Sequence, residues 1–514
     1  MPTYLAGIDL GTTGAKAIIF DQEGQAQSSA YREYTCNYPK PSWAEQDPNL
    51  LVTETMEAVK QAVLQSGVQP EAIASVSLSA QRCCGIFLDE NEVPLRPMIS
   101  WQDNRTPVEV EEIKEMIGAE TFYKKSGLPN ATTWLVSKIL WIRKNEPETW
   151  NKTRRIVQMH DYFLRALGVE DYYVDYNDAG FFGLFNTDEG LWDTEILNLF
   201  NISKEILPIP EKSGTLVGSV SAPASQRCGL ATGTPVCVGA GDQSAGAVGA
   251  GIVRKGMVSI SLGTGGAVTA FLDAPFRDPA GKAMVTSHPI RGNWLLEGYQ
   301  AAAASVYRWY RDEFGATELL EAERTDKDFY ELMNTKISEV PAGSNGLLVM
   351  PYFSGAATPR YNPAARGMVL GLTFAHDRFA VARAFMEGIS LDMRDMLNSI
   401  KRSGVEVNEA RILGGPTKSA VWNQIQADIY GIPVSNLRTT DATVLGAAIL
   451  GGVGVGIFAS VEEGADKLVR LEHTYEPVLD NTALYDELYD LYCRTYEQLE
   501  NNEIFSSLAS IQAK

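Results

Sequence analysis

The chain has 514 residues, 45% of them hydrophobic and 21% charged, with a formal net charge of −20. That length exceeds what one hydrophobic core sustains and predicts roughly two to four domains. The acidic balance argues against a nucleic-acid or anionic-membrane partner, since no basic surplus is there to neutralise phosphates. A phosphorylated ligand must instead be held by local donors and metal ions.

Tyr4 to Leu10 is an apolar, β-rich run that meets Gly11-Thr12-Thr13-Gly14, and Ala17 to Phe20 is a second such run closed by Asp21-Gln22-Glu23-Gly24. Glycine lets backbone N–H groups approach a phosphate, threonine hydroxyls add donors, and Asp9 between them can hold a hydrated cation. An ordinary hairpin with a glycine-rich turn has the same appearance, so this stretch alone does not choose. Pro39 to Pro48 is a proline-punctuated loop with an exposed-type Trp43, and Asn49 to Ser66 carries apolar residues at helical spacing. Ile73 to Ser79 and Gly85 to Leu88 are predicted strands separated by Gln81-Arg82-Cys83-Cys84. Met98 to Trp101 ends in Gln102-Asp103-Asn104-Arg105, polar groups where a strand stops and where α/β sheets usually place ligands. Helical patterns dominate from Val108 to Ile142, interrupted at Ser126-Gly127-Leu128-Pro129.

In the second half, Val236 to Ala240 reads as a strand ending in Gly241-Asp242-Gln243-Ser244, followed by a small-residue helix, Ala245 to Gly251. Met257 to Val268 is again a β run, a Gly263-Thr264-Gly265 turn and a β run. This echo of the opening stretch is a weak internal repeat with a boundary near 252 to 256. Leu413 to Ser419 ends a strand with Gly414-Gly415 and opens a helix through Tyr430, whose N-terminal donors suit an anion or nucleotide. Asp441 to Gly456 and Pro477 to Leu499 look helical, and the tail beyond Asn501 is expected to fray. No apolar run reaches the ~18 residues of a membrane span; the longest, around Ala442 to Phe458, is broken by glycines. The N-terminus lacks a basic segment ahead of an apolar core, so no secretory leader is expected. Six dispersed cysteines without a Cys-x-x-Cys spacing, and four distant histidines, support neither a disulfide framework nor a zinc centre nor a histidine triad. A cytoplasmic protein with reduced thiols is the expectation.

Two strand–Gly-Thr–strand hairpins plus a Gly-Gly turn resemble the actin/hexokinase-like ATP-binding superfamily. Within it the chain resembles the carbohydrate kinases named for a Phe-Gly-Gly-Tyr signature, which act on glycerol, xylulose, ribulose or gluconate. The motifs that carry this are Asp9-Leu10-Gly11-Thr12-Thr13, Trp43-Ala44-Glu45-Gln46-Asp47-Pro48, Trp101-Gln102-Asp103-Asn104-Arg105, Lys138-Ile139-Leu140-Trp141, Gly241-Asp242-Gln243, Ser261-Leu262-Gly263-Thr264, Pro351-Tyr352-Phe353-Ser354-Gly355, Ala365-Arg366-Gly367 and Gly414-Gly415-Pro416-Thr417-Lys418-Ser419. Each is weak alone; together, in the family's order, they span the chain. The resemblance implies an α/β protein of two ribonuclease-H-like domains, each a mixed sheet flanked by helices, separated by an ATP/sugar cleft. The expected domains are 1–253, with the sugar and the first phosphate hairpin, and 254–514, ATP-binding and ending in a helix.

The implied reaction moves the ATP γ-phosphoryl group to a hydroxyl of a small sugar or polyol, with Mg²⁺. By resemblance Asp242 is the general base, although an aspartate there also suits a helix N-cap. Asp9, with Asp242, is the expected metal-organising pair. Gly11, Thr12 and Thr13 of one domain and Gly263, Thr264 and Gly265 of the other would cradle phosphates. Lys16 would add charge or be a solvated strand lysine. Gly414 and Gly415 would face the adenosine, with Lys418 and Asn423 as edge contacts. Gln81, Arg82, Asp103, Arg105 and Gln243 are the candidate sugar contacts and Trp101 the ring covering a CH face, with a packing anchor and a salt-bridge partner as the other reading of Trp101 and Arg105. Glycerol kinases usually carry Arg-Glu where this chain has Arg82-Cys83 and a tyrosine near Thr133; xylulose kinases usually show Gln-Met-His-Gly where it has Gln81-Arg82-Cys83-Cys84-Gly85. These departures leave a pentulose, a related ketose or a polyol as the expected substrate. Glycerol- or gluconate-kinase-like activity, a kinase for a signalling ketose, an ATPase of the actin or heat-shock type and a catalytically silent relative are the rivals. Family members often pair, so a homodimer is compatible.

Overall fold

A computed structural model describes residues 3–279 and 281–512. The chain is α/β and divides into two compact units, residues 1–254, 271–295 and 441–470 in the first and residues 255–270, 296–440 and 471–514 in the second. In the first unit Tyr4–Leu10, Gly14–Phe20 and Ala26–Glu33 form an antiparallel meander. Ile73–Ala80 lies parallel to the first strand on its other side. The alternation of the strands decides what each face meets. Ala6, Ile8 and Leu10 pack with Leu51, Met56 and Val59 of the Pro48–Ser66 helix. Leu5, Ile18 and Phe20 pack with Val444, Leu445 and Ile449 of the Ala442–Gly454 helix. The first two strands are therefore covered on both faces, which is why they read as largely apolar runs.

The Pro48–Ser66 helix begins where Asp47 accepts from the Asn49 N–H and Pro48 occupies the first turn, and stops at Gly67 with φ +66°. Glycines in the Ala442–Gly454 helix have a packing cause. A Cβ on Gly446 would lie 1.8 Å from the Ala245 carbonyl oxygen, and one on Gly249 would lie 1.8 Å from that of Ala442. The Asp242–Gly249 helix and this one thus touch at backbone distance. Among the described residues no helix is long and apolar enough to cross a membrane.

The second unit repeats the plan. Gly256–Leu262 pairs antiparallel with Gly266–Leu272 and parallel with Val407–Leu413. Val434–Leu437 continues the sheet in parallel and Leu471–Tyr475 closes it antiparallel. Arg378–Arg402, Ala420–Tyr430 and Leu479–Asn501 are the unit's principal helices. The tail expected to fray instead forms the Ile504–Gln512 helix. Buried Phe505 anchors it, its ring 5.2 Å from that of Tyr496. Amphipathic spacing in so short a tail was the overlooked signal.

Candidate functional site

Cross-strand register sets the centre of the first unit. Asp9 and Lys16 are direct partners in the first hairpin. Period two puts them on the face shared with Leu5 and Ile18, beneath the Ala442–Gly454 helix. Lys16 Nζ reaches Asp441 Oδ1, at the start of that helix, at 2.5 Å. Ser79 donates from its hydroxyl to Asp9 Oδ1 at 2.5 Å. Burial pushes the Asp9 carboxyl up to about 7; the Ser79 hydrogen bond and the Lys16 charge oppose this, while the charges of Asp242 and Asp441 add to it. A buried carboxylate that feels the charges of both Asp242 and Asp441 supplies the oxygen donors that a hard divalent cation such as Mg²⁺ takes.

The turn of this hairpin is held from several sides. Gly11 N donates to Gly14 O at 3.0 Å, and the Tyr34 hydroxyl donates to Gly11 O at 2.7 Å. Gln46 Nε2 donates to Thr12 O at 2.9 Å, and Trp101 Nε1 to Thr12 Oγ1 at 2.9 Å. Gln81 Nε2 in turn donates to Gln46 Oε1 at 3.0 Å. Thr13 is exposed at the tip. Nothing local in the sequence assigns Gln46 a role; its residue type and its place in the Trp43–Pro48 motif are the signal it carries.

Asp242 stands in the first turn of the Asp242–Gly249 helix, with Gly241 at the cap position. Arg82 Nε lies 2.9 Å from Asp242 Oδ1, and the Gln243 N–H donates to the same oxygen at 2.7 Å. Phe181 lies against the other side of Arg82, its ring centroid 4.3 Å from the guanidinium carbon. A Cβ on Gly241 would fall within 2.7 Å of Arg82 Cδ, Asn177 Oδ1 and Asp178 Oδ1, so only glycine lets the strand end pass this cluster. Behind it His160, Asp175 and Asp178 converge, with ligand-type atoms within 4.8 Å of one another. They are not a metal set. Gly239 N donates to His160 Nε2 at 3.1 Å, which leaves the neutral ring's proton on Nδ1 and no lone pair for a cation. Burial lowers His160 to about 4, so its ring is neutral at pH 7, and burial together with the Asp175 charge raises the Asp178 carboxyl.

The structure separates the expected sugar contacts. Trp101 is 42% exposed, while Gln243 and Arg82 are half-buried beside Asp242. Gln81 is buried and turned to Gln46. Asp103 and Arg105, expected at the sugar, are buried against each other, the salt-bridge arrangement that was the other reading of Arg105. Asp103 Oδ1 accepts from Arg105 Nε at 2.8 Å, and Arg105 Nη2 reaches Asp103 Oδ2 and Glu45 Oε1, each at 2.7 Å. The guanidinium lies 3.7 Å from the Trp43 ring centroid, so the Trp43 expected to be exposed is the lid of this ion pair. Asp103 Oδ2 also accepts from Ala44 N at 2.7 Å. The pair fastens the loop that carries Gln46. Its two-residue spacing, with Asp103 Oδ1 also accepting from Arg105 N, folds the partners onto each other. Buried Lys138 ties a second seam, donating to Cys83 O and Ser100 O at 2.8 Å each.

In the second unit Gly263 N donates to Gly265 O at 2.8 Å, and Thr264 O accepts from Ala303 N at 2.9 Å and Ser305 Oγ at 2.6 Å. Gly414, at φ +96°, passes so near Leu262 that a Cβ would lie 2.1 Å from its carbonyl oxygen; Gly415 beside it is open. Lys418 is exposed and borders a cavity of about 650 Å³ with Asn436, Arg438 and His473. Asn423, expected at a nucleotide edge, is buried and donates from Nδ2 to Thr417 O at 2.8 Å, bracing the turn from inside.

Comparison with known proteins matches residues 4–249 to the N-terminal domain, and 258–455 to the C-terminal domain, of the FGGY family of carbohydrate kinases. A xylulose kinase of Bacillus subtilis strain 168 is 31% identical over 495 residues, 96% of each chain. An autoinducer-2 kinase of Escherichia coli O9:H4 is 33% identical over 504 residues, 96% of this chain and 94% of that one. The crystal structure of ligand-bound xylulose kinase from Lactobacillus acidophilus superposes with a TM-score of 0.88 at 25% identity, covering 97% of this chain and 98% of that one.

Proposed function

The chain belongs to the FGGY family of carbohydrate kinases, and from that premise we propose that it phosphorylates a hydroxyl of a pentulose resembling xylulose with the γ-phosphoryl group of ATP. The xylulose kinases that match it almost end to end support this substrate class. The observation that carries the mechanism is Asp242 at a strand end, fixed by Arg82 at 2.9 Å and still one-third exposed. A carboxylate so held accepts the proton of an attacking hydroxyl without reorienting. Arg82, Gln243 and the face of Trp101 bound the sugar, and Asp103 and Arg105 support that seat from beneath. Thr12 and Thr13 present N–H and O–H donors to the phosphates, and Gly11 closes the turn that carries them. Asp9 and Asp242 would hold Mg²⁺, which, when bound, neutralises charge on the phosphate oxygens. Gly263, Thr264 and Gly265, the Gly414-Gly415 turn and Lys418 are the second unit's nucleotide contacts.

Asp242→Asn keeps the hydrogen bonds of the site and removes the base, so sugar-dependent ADP release should fall about 10² to 10⁴-fold. Near-wild-type turnover sinks the assignment. A panel of C3 to C7 polyols, ketoses and sugar acids assayed with ATP reads the substrate. The relation to an autoinducer-2 kinase makes a small signalling ketose the second reading, and it prevails if kcat/KM for such a ketose exceeds that for every pentulose.

A further inference from the structure

We infer that Gln46 is a positioning residue for phosphate binding, acting through Thr12 as the middle of a hydrogen-bond chain with only one possible polarity. The inference rests on the kinase reading above. A backbone carbonyl only accepts, so the Thr12 carbonyl fixes Nε2 of Gln46 as the donor facing it. That leaves Gln46 Oε1 as an acceptor and fixes the Gln81 amide with its Nε2 toward Gln46. Gln81 is itself pinned to the first strand through its N–H on Leu10 O at 2.8 Å. On the other side of Thr12, an indole N–H only donates, so Thr12 Oγ1 receives the Trp101 bond and keeps its own proton free to give away. The carbonyl and the hydroxyl of Thr12 are therefore set before any ligand arrives: the carbonyl is drawn back by Gln46, and the hydroxyl is left as an outward donor. That is the arrangement a phosphate oxygen requires.

Gln46 is fully buried, its amide engaged by Thr12 and Gln81. Its loop is locked by the Asp103–Arg105–Glu45 cluster, and Glu45 is its immediate neighbour. The Trp101 ring assigned to the sugar and the Thr12 hydroxyl assigned to the phosphate share one hydrogen bond, so the sugar seat and the phosphate hairpin are braced as one body.

The test uses nucleotide affinity, measured by calorimetry with MgADP, beside KM for ATP and for the sugar. Gln46→Met keeps bulk and loses both bonds; affinity should fall about 3- to 10-fold while sugar KM moves less than twofold. Gln46→Glu sets an acceptor against the Thr12 carbonyl at pH 8, but a buried carboxyl protonates readily and then donates again. Its affinity, relative to wild type at each pH, should therefore recover as pH falls from 8 to 6, a signature that a packing role would not produce. Should the Gln46 variants misfold, Trp101→Phe keeps an aromatic ring and removes the indole N–H; it should weaken MgADP about 2- to 5-fold. Unchanged nucleotide affinity in whichever of these variants folds, or a pH-independent ratio for Gln46→Glu, overturns the inference. A wild type that binds MgADP but phosphorylates no sugar overturns the kinase reading instead.

Discussion

The two hairpins share a backbone plan and divide the chemistry. Where the first has Asp9 opposite Lys16, the second has Ser261 opposite Ala267. The first turn spans four residues between Leu10 and Ala15, the second three between Leu262 and Gly266. The first is ringed by side chains: Gln46, Trp101, Tyr34, Ser79 and Asp441. The second is held mostly by backbone, with Ala303 N and Ser305 Oγ on Thr264 O and Gly265 at backbone distance from Gln300. One fold element, used twice, thus carries a charged pair ringed by side chains in one unit and an uncharged turn held mostly by backbone in the other.

Substitution should expose that division. Asp9→Asn removes the carboxylate and should cost at least about 10²-fold in Mg²⁺-dependent turnover, whereas Ser261→Ala should cost less than about twofold. Stability should move the other way. The Asp9 carboxyl rises from 3.8 to about 7 on folding, so its contribution is complete below pH 4, is lost as pH rises through 7, and is a fixed penalty above. At pH 8, without ligand, Asp9→Asn should therefore melt higher than wild type, and the gap should close toward pH 4. A lower melting point at pH 8 would contradict the repulsive cluster.

Gly265→Ala tests the backbone clamp. Its Cβ would lie 2.5 Å from Gln300 O, a group that cannot yield. Thermal unfolding should show about 1–3 kcal/mol of destabilisation. Gly11→Ala meets its nearest atom only at 3.2 Å and should be milder. If the two are equal, the second turn is not specially close-packed. Lys16→Met should have the smallest effect. Both partners of the Lys16–Asp441 pair keep roughly a quarter of their side chains exposed, so stability should change by less than about 1 kcal/mol. Nucleotide affinity should fall a few-fold at low salt and converge with wild type as salt rises.

Much of this was legible in the residues. Asp9-Leu10-Gly11-Thr12-Thr13, Gly241-Asp242-Gln243 and Gly414-Gly415 stand at strand ends, where turn chemistry and alternation put them, because such signals are local. Asp103, Arg105 and Asn423 carried the right residue types for ligand contact and turned out to brace loops. Which neighbour a polar group meets depends on contacts the sequence does not order: Glu45 lies 60 residues from Arg105.

The sequence by itself determined the two hairpins, the helices that follow Gly241 and the Gly414-Gly415 turn, and the acidic residues at strand ends, all consequences of spacing within a few residues. Only the tertiary structure decided that Asp441 would answer Lys16 across 425 residues. It alone chose Gln46 to hold Thr12, and Arg82 rather than Arg105 to hold Asp242. Periodicity chooses the face a side chain occupies; the packing of distant segments, pressed together to bury their apolar faces, chooses its partner.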